Sequence, residues 1–356
     1  RVASGYLLDR VMRSPSWSWE EQLGALGNVT WGSVLERAAA LRASAQVTCL
    51  AHGDVQASSA VFLGEKAAVA LGRPGSAPAL APLRSLVAVP PRGNLTELRS
   101  HPMLPGDANS AVVLVYQLDP TSGHRLDACS VRRCVAEERQ ASALLLLSQV
   151  ASQRAFDKLR TKESLGYVVW LWPEFTPVPG IPGNDVMSLQ LLVQSSSKGA
   201  SEVRQRMTQF LDDFLLATGG EEQHTGDGVP AITEAEVEAA KEGLRAALLQ
   251  RPDNLAGEGA RIWNEVLRRR DGWDRPWLLA DALVSLTLHD LQDLLRRLLR
   301  PSGAARKLAI EVWRTSDGDP MDDQVAPGVD VVAMDDLAEL QRWKCAAGNW
   351  SPSTIV

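Results

Sequence analysis

Residues 156–172, FDKLRTKESLGYVVWLW, decide how this chain is read. Charged and apolar residues alternate at helical spacing up to Ser164, and then the aromatic and β-branched run YVVWLW begins. Gly166 sits between the two patterns and supplies the backbone freedom for a sharp turn from helix into strand. The spacing therefore predicts a helix ending near Ser164 and a strand from Tyr167 to Trp172. Arg160 then falls one to two turns before the helix end, and Tyr167 takes the first strand position. A guanidinium fork and a phenol on two rigid elements, facing one cavity, suit hydrogen bonding to a peptide backbone. On spacing alone, a structural arginine and a core tyrosine remain the plainer reading.

Working outward, the preceding helix spans about 131–162 with an apolar centre at Ala143 to Leu147, and before it Ser110 to Leu118 (SAVVLVYQL) reads as a buried strand. After Trp172, PEFTPVPGIPGND reads as a long loop. Val186 to Gln194 alternates Met187, Leu189, Leu191 and Val193 with Ser188, Gln190 and Gln194, as a strand with one buried face does. Helices are expected over about 200–217, 234–250, 256–270, 275–284 and 288–299, then a strand at Lys307 to Trp313 and an acidic, irregular tail. Near the start, a helix is expected over Trp31 to Ala43 and a strand over Gln46 to Ala51 (QVTCLA). Asp54 is placed to cap a helix running to about Leu71. Between them and Ser110 lies GRPGSAPALAPLRSLVAVPPRG, whose proline density no regular element tolerates. This order suits an α+β fold with mostly antiparallel sheets packed with helices, not a doubly wound nucleotide fold.

Composition narrows the function classes. The chain has 356 residues with 45% hydrophobic and 22% charged residues, an ordinary globular balance and enough length for about two domains. A net charge of −6 argues against nucleic acid as a partner. Much of the acid lies between Asp317 and Gln341, which holds eight Asp or Glu and no Lys or Arg, and more lies in the insertion at 218–232; both read as solvated surface. No apolar run approaches the roughly 18 residues of a membrane span. Four cysteines, Cys49, Cys129, Cys134 and Cys345, follow no disulfide or zinc spacing, which favours a reducing compartment. The five histidines form neither H-E-x-x-H nor H-x-x-E-H, and no G-x-S-x-G elbow or phosphate-binding glycine loop occurs. Arg268, Arg269 and Arg270 fan around a helix end and read as solvated charge.

LRTKESLGYVV, Leu159 to Val169, resembles the signature of the C-terminal half of the insulysin (insulin-degrading enzyme), pitrilysin and nardilysin family. Flanking segments are similar in the same order: CLAHGDV at 49–55, NSAVVLVYQLD at 109–119, SLQLLVQSS at 188–196, LQRPDNLAGEGARIWNEV at 249–266 and VDVVAMDDLAEL at 329–340. The resemblance implies two units of the insulysin/pitrilysin (mitochondrial-processing-peptidase-like) metallohydrolase fold. Residues 1–83 would be the C-terminal part of a truncated third-domain-like unit, 84–108 a Pro-rich linker, 109–320 a complete fourth-domain-like unit and 321–356 an acidic C-terminal tail.

The implied function is the catalytically inert half of a zinc metalloendopeptidase, forming the wall of an enclosed chamber. Zinc would be held by an N-terminal catalytic half of the same protein, through an inverted H-x-x-E-H motif, with no metal site in this chain. The motif positions of Arg160 and Tyr167 imply substrate contact near the scissile bond, and that of Phe156 a chamber lining. Peptide substrates and a homodimer are the implied partners, with no nucleic acid and no membrane span. The alternative within the same superfamily is a non-catalytic scaffold or processing-partner subunit. The first residue is Arg1 and not Met, so a longer parent is expected. A cytoplasmic location is expected from the cysteines, with a mitochondrial or other organellar one as alternative.

Overall fold

In the computed structural model, residues 2–14, 16–44, 47–70, 86–92, 95–104, 106–118, 131–177, 185–219, 229–268, 273–299, 306–325, 329–347 and 349–350 are described. The Pro-rich stretch over 71–85, most of the acidic insertion, Cys129, His124, His224, Arg269 and Arg270 lie outside them. The chain forms two compact units, the larger comprising Arg1–Ser14, Ser85–Gln250 and Asp274–Val356, and the smaller Pro15–Arg84 and Arg251–Trp273.

The larger unit begins with α1 (Val2–Met12) and β1 (Arg13–Ser14). The smaller unit then carries α2 (Trp19–Leu26), α3 (Trp31–Ser44) and α4 (Ala57–Ala70). The chain returns to the larger unit with β2 (Leu86–Ala88), β3 (Leu95–Ser100), β4 (Ser110–Gln117), α5 (Val131–Ala155), a π-helical segment (Phe156–Lys162), β5 (Val168–Pro177), β6 (Asp185–Ser195), α6 (Ala200–Thr218) and α7 (Glu234–Leu249). After α8 (Leu255–Leu267) in the smaller unit come α9 (Arg275–Val284), α10 (Leu288–Leu299), β7 (Arg306–Val312), β8 (Asp330–Ala333), α11 (Leu337–Ala347) and β9 (Asn349–Trp350). Short 3₁₀ turns at Thr315–Asp317 and Pro320–Asp322 lead from β7 towards β8.

The larger unit is an α+β structure on a six-stranded mixed sheet of order β5-β6-β4-β7-β3-β8. The β5-β6, β6-β4 and β4-β7 pairs are antiparallel, while β3 runs parallel to both β7 and β8. A separate antiparallel ribbon of order β1-β2-β9 joins the ends of the chain segments. Two parts of the sequence behave differently from expectation. The stretch 84–108 contributes β2 and β3, and the acidic tail is not irregular, since β8 and α11 fold onto the sheet edge. Likewise PEFTPVPGIPGND is strand at both ends: β5 continues to Pro177 and β6 starts at Asp185, and 178–184 lie outside the described residues. Pro173 and Pro177 are tolerated there because β5 is an edge strand, whose outer side needs no ladder donor.

Burial explains the strand sequences. Every residue of β4 is buried. Val112, Leu114 and Tyr116 face the helices, and Val113 and Val115 face a second apolar cluster built with Leu7 and Val11 of α1. The helical side receives the apolar stripes of α5, α6 and α10; Leu291, Leu294, Leu295 and Leu298 of α10 are all buried, each contributing about 1.5–3 kcal/mol on an area scale. α7 is started by a capping box in which Thr233 and Glu236 exchange side-chain and main-chain bonds. Ser188 and Gln190, expected on a solvated face of β6, are buried as well, because α1 closes the sheet's second side.

A buried ionic group ties the tail to the sheet. Arg99 donates to Glu97 at 2.7 Å and to the Pro320 carbonyl at 2.8 Å, and Arg204 faces Glu97 at 3.1 Å and also bonds Glu311. Burial pushes the Glu311 carboxyl above the ordinary carboxylate range, against the pull of Arg204 and with the help of Glu97's charge.

The described residues of the smaller unit form four helices whose apolar residues stay largely uncovered. None of α2, α4 and α8 has a buried residue, and Trp19, Trp31, Phe62 and Leu255 are exposed. The expected strand at Gln46 to Ala51 does not form over the described residues 47–51; a strand exists only by its ladder, and no partner strand lies among the described residues of this unit. Asp54 does not cap α4 either. The chain turns at Gly53, with φ of 122°, and the helix starts three residues after Asp54.

Candidate functional site

The motif segment begins where α5 widens into the π-helical turn at Phe156. Such turns shift side chains around the axis and recur at functional sites. Leu159 and Leu165 are its apolar anchors, at 0% and 2% exposure. Arg160 lies over the Phe156 ring with its guanidinium carbon 4.8 Å from the ring centroid, a cation–π contact worth about 0.5–1 kcal/mol at an exposed site. Among the described residues that ring is Arg160's partner, with no carboxylate bound to its fork.

The helix ends through Ser164, whose φ of 49° makes it the one non-glycine in the left-handed region among the described residues. The Glu163 N–H bonds the Lys158 carbonyl at 3.0 Å, and the Leu165 N–H bonds that of Leu159 at 2.8 Å. Gly166, expected to supply the turn, does not have a positive φ. Its need is space: a Cβ there would lie 2.3 Å from the Gln194 carbonyl oxygen. That close approach lets the Tyr167 N–H bond the same oxygen at 3.1 Å, locking the start of β5 onto β6.

Tyr167 is 49% exposed and therefore no core tyrosine. Trp170, on the opposite face of β5, is 50% exposed and meets Trp172 edge-on at 6.3 Å between centroids. The segment presents an arginine fork and a phenol from two rigid elements. Its rear is fastened by Glu163, which accepts a two-pronged bond from Arg206 at 2.7 and 2.8 Å and an ion pair from Lys158 at 3.3 Å. Burial pushes the Glu163 carboxyl up, but Arg206 and Lys158 outweigh it and hold it below the ordinary range.

A cavity of about 480 Å³ lies behind the segment, lined by Arg154, Asp157, Lys158, Lys162 and Glu236 among others, and not by Arg160 or Tyr167. Arg154 is already engaged there by the Pro230 carbonyl and Glu236. The structure thus brings Phe156 and Arg160 together and sets Tyr167 at the strand start. The exposure of Trp170 was not legible in the sequence, where YVVWLW gave no sign of which side would be covered.

Zinc does not fit the described residues. No group of three or more His, Cys, Asp or Glu converges among them. His101 and Asp335 pair at 2.9 Å, but the second carboxylate oxygen is taken by the Ser100 hydroxyl. Cys49 and Cys345 are free and exposed. No described helix is long and apolar enough to cross a membrane.

Comparison with known proteins places the fold first: it is that of the pitrilysin-type proteases. The crystal structure of pitrilysin superposes over 95% of this chain and 31% of its own, with a TM-score of 0.68 and 17% identity. In sequence, residues 146–263 match the family described as PQQ synthase PqqF-like, C-terminal lobe domain 4. The chain is 27% identical over 210 residues to a nardilysin-like protein of Arabidopsis thaliana, covering 58% of this chain and 17% of that protein. It is 22% identical over 308 residues to the insulin-degrading enzyme of Drosophila melanogaster, covering 85% of this chain and 27% of that protein. In sequence and fold, this chain is similar to the C-terminal half of insulysin/pitrilysin-type peptidases. It spans about a quarter or less of the length of these curated relatives.

Proposed function

We propose that this chain is the non-catalytic wall of an insulysin-like zinc metalloendopeptidase, whose zinc is held by an N-terminal half of the same polypeptide. Its task is to hold the peptide rather than to cut it. The observation that carries this reading is the exposed tip chemistry of the motif: Arg160 and Tyr167 keep their polar ends open, while the residues around them are tied down. Leu159, Leu165, Glu163 and Gly166 spend their interactions on fixing the two elements. A phenol donor and a planar fork fixed in this way can bond the peptide's main chain, and a donor aimed at a carbonyl oxygen gains strength as that oxygen becomes negative. The exposed apolar residues of the smaller unit also support a partner half in the parent, since four helices with so little buried surface do not account for their own stability.

The test uses the full-length parent. Tyr167→Phe keeps the ring and removes one donor, and should lower turnover by about 10²–10³. Arg160→Lys should also lower turnover, because a point charge does not replace a planar two-pronged donor. Melting temperatures of both variants should stay near wild type, since neither tip is bonded within the fold. Near wild-type turnover for both variants would remove the substrate-contact role. This chain on its own should hold no stoichiometric zinc and cleave no peptide; metal analysis with a chelator-sensitive peptidase assay checks it.

A further inference from the structure

Arg160 is held in a way that leaves its hydrogen-bonding edge unspent. Two other arginines that lie over aromatic rings also bond carboxylates. Arg99 lies over Trp313 and donates to Glu97 at 2.7 Å, and Arg275 lies over Phe175 and faces Glu138 at 3.3 Å. Arg206, close behind the motif, spends its fork on Glu163. Arg160 has the Phe156 ring, 4.8 Å from its guanidinium carbon, and no carboxylate among the described residues. A carboxylate takes N–H donors out of the planar fork, whereas a ring attracts the guanidinium through its quadrupole and leaves those donors to other acceptors.

Phe156 is placed for this task. It opens the π-helical turn, Arg160 follows four residues later, and residues at that spacing are neighbours on a helix face. The ring is 37% exposed and belongs to neither apolar cluster of the larger unit. Leu159 and Leu165 supply the apolar anchoring of the segment instead. A free arginine carries large rotamer entropy, much of which is lost when it grips a ligand. A ring that already holds the guanidinium reduces that loss before the ligand arrives.

We propose that Phe156 is a positioning residue: its ring holds the Arg160 guanidinium in place and leaves the N–H donors free for the main chain of a bound peptide. It acts through Arg160, and as part of a substrate site this rests on the reading of Arg160 given above. It differs from the lining role that the resemblance implies for Phe156, in which the ring itself meets a substrate side chain. The two roles make opposite demands. A positioning ring matters equally for every peptide and not at all once Arg160 is gone. A lining ring matters according to the side chain it meets, and keeps its effect without Arg160. Because the contact is electrostatic, the charge distribution of the ring counts as well as its shape.

Two measurements test it. In this chain, with its arginines labelled with nitrogen-15, the Arg160 Nε–H resonance is assigned by its loss in Arg160→Lys. It should be displaced by the ring current of Phe156 and move to the free-arginine position in Phe156→Leu; a resonance that does not move overturns the proposal. In the full-length parent, Phe156→Leu should lower turnover about two- to fivefold, and equally on peptides that differ in the side chains flanking the cleaved bond. Phenylalanines carrying one, two and three fluorines, incorporated at position 156, should lower turnover in steps, because fluorine drains the negative face of the ring and nearly keeps its shape. In an Arg160→Ala background none of these changes should have a further effect. A loss that varies with the peptide and persists in Arg160→Ala makes Phe156 a lining residue and overturns the positioning role, while the reading of Arg160 stands. Unchanged turnover in Phe156→Leu, beside a loss in Arg160→Ala, has the same consequence. Near wild-type turnover in Arg160→Ala removes the reading of Arg160 and the positioning role with it, whatever the resonance shows.

Discussion

Replacing Gly166 with alanine separates two physical accounts of the motif, because they predict opposite signs. If Gly166 were there for a flexible turn in an ordinary backbone conformation, alanine would reduce the freedom of the unfolded chain and stabilise by about 0.4–1 kcal/mol. In the structure an added Cβ sits 2.3 Å from the Gln194 oxygen and 2.9 Å from both its carbonyl carbon and Val193 Cγ1. A carbon–oxygen contact relaxes at about 3.3 Å, so the start of β5 must retreat by about 1 Å. The retreat breaks the Tyr167 N–H bond to Gln194. Overpacking against main chain costs about 1–3 kcal/mol, and the lost bond about 0.5–1.5 kcal/mol more. Together they give about 2–4 kcal/mol, or roughly 4–16 °C in Tm for a unit of this size. Urea denaturation followed by circular dichroism gives the free energy, and hydrogen exchange at the Tyr167 amide reports the local opening. Ser164→Gly supplies the contrast: removing the left-handed strain should be neutral or stabilise by up to about 1 kcal/mol. A stable Gly166→Ala protein with a protected Tyr167 amide would refute the close-approach argument.

Two further substitutions probe what holds the site's frame. Arg99→Met leaves Glu97 and Glu311 buried with less compensation and frees the Pro320 carbonyl, so a loss of about 3–5 kcal/mol is expected in urea midpoints. Loss of less than about 1 kcal/mol would mean the ionic group is not what ties the tail to the sheet. Glu163→Gln should cost about 1 kcal/mol near neutral pH, as its pairs are partly exposed. Because the native Glu163 carboxyl is held below its ordinary range, its contribution is present above about pH 4.3 and lost as pH falls through the lowered value. The wild-type advantage over Glu163→Gln should therefore shrink as pH falls below about 4.3 in denaturation curves; an advantage that persists unchanged would contradict the pairing.

Local pattern was enough to place the elements whose own residues carry a clear periodicity. The period-two apolar run of β6, the buried run of β4 and the stripes of α6 and α10 each state what they are without reference to distant chain, and the structure has them within a residue or two. The helix-to-strand change around LRTKESLGYVV was legible for the same reason, and with it the positions of Arg160 and Tyr167. The exposure of Tyr167 was not, since YVVWLW is compatible with a central strand; only the position of β5 at the sheet edge left one side open.

Tertiary structure alone decided the rest, wherever the deciding partner is far away in sequence. LTELRS falls in the stretch 84–108 read as a Pro-rich linker, yet β3 lies between β7 and β8, where Glu97 and Arg99 find Arg204, Glu311 and the Pro320 carbonyl. QVTCLA reads as a strand, and its described residues 47–51 form none, for want of a ladder partner among the described residues of the unit. Ser188 and Gln190 read as solvated and are buried, because α1 arrives from the opposite end of the chain. Gly166 reads as a hinge and is a gap, sized by a carbonyl 28 residues later. A sequence records each residue's own preference for water or for a backbone angle; which distant group comes to stand against it is a property of the assembled chain.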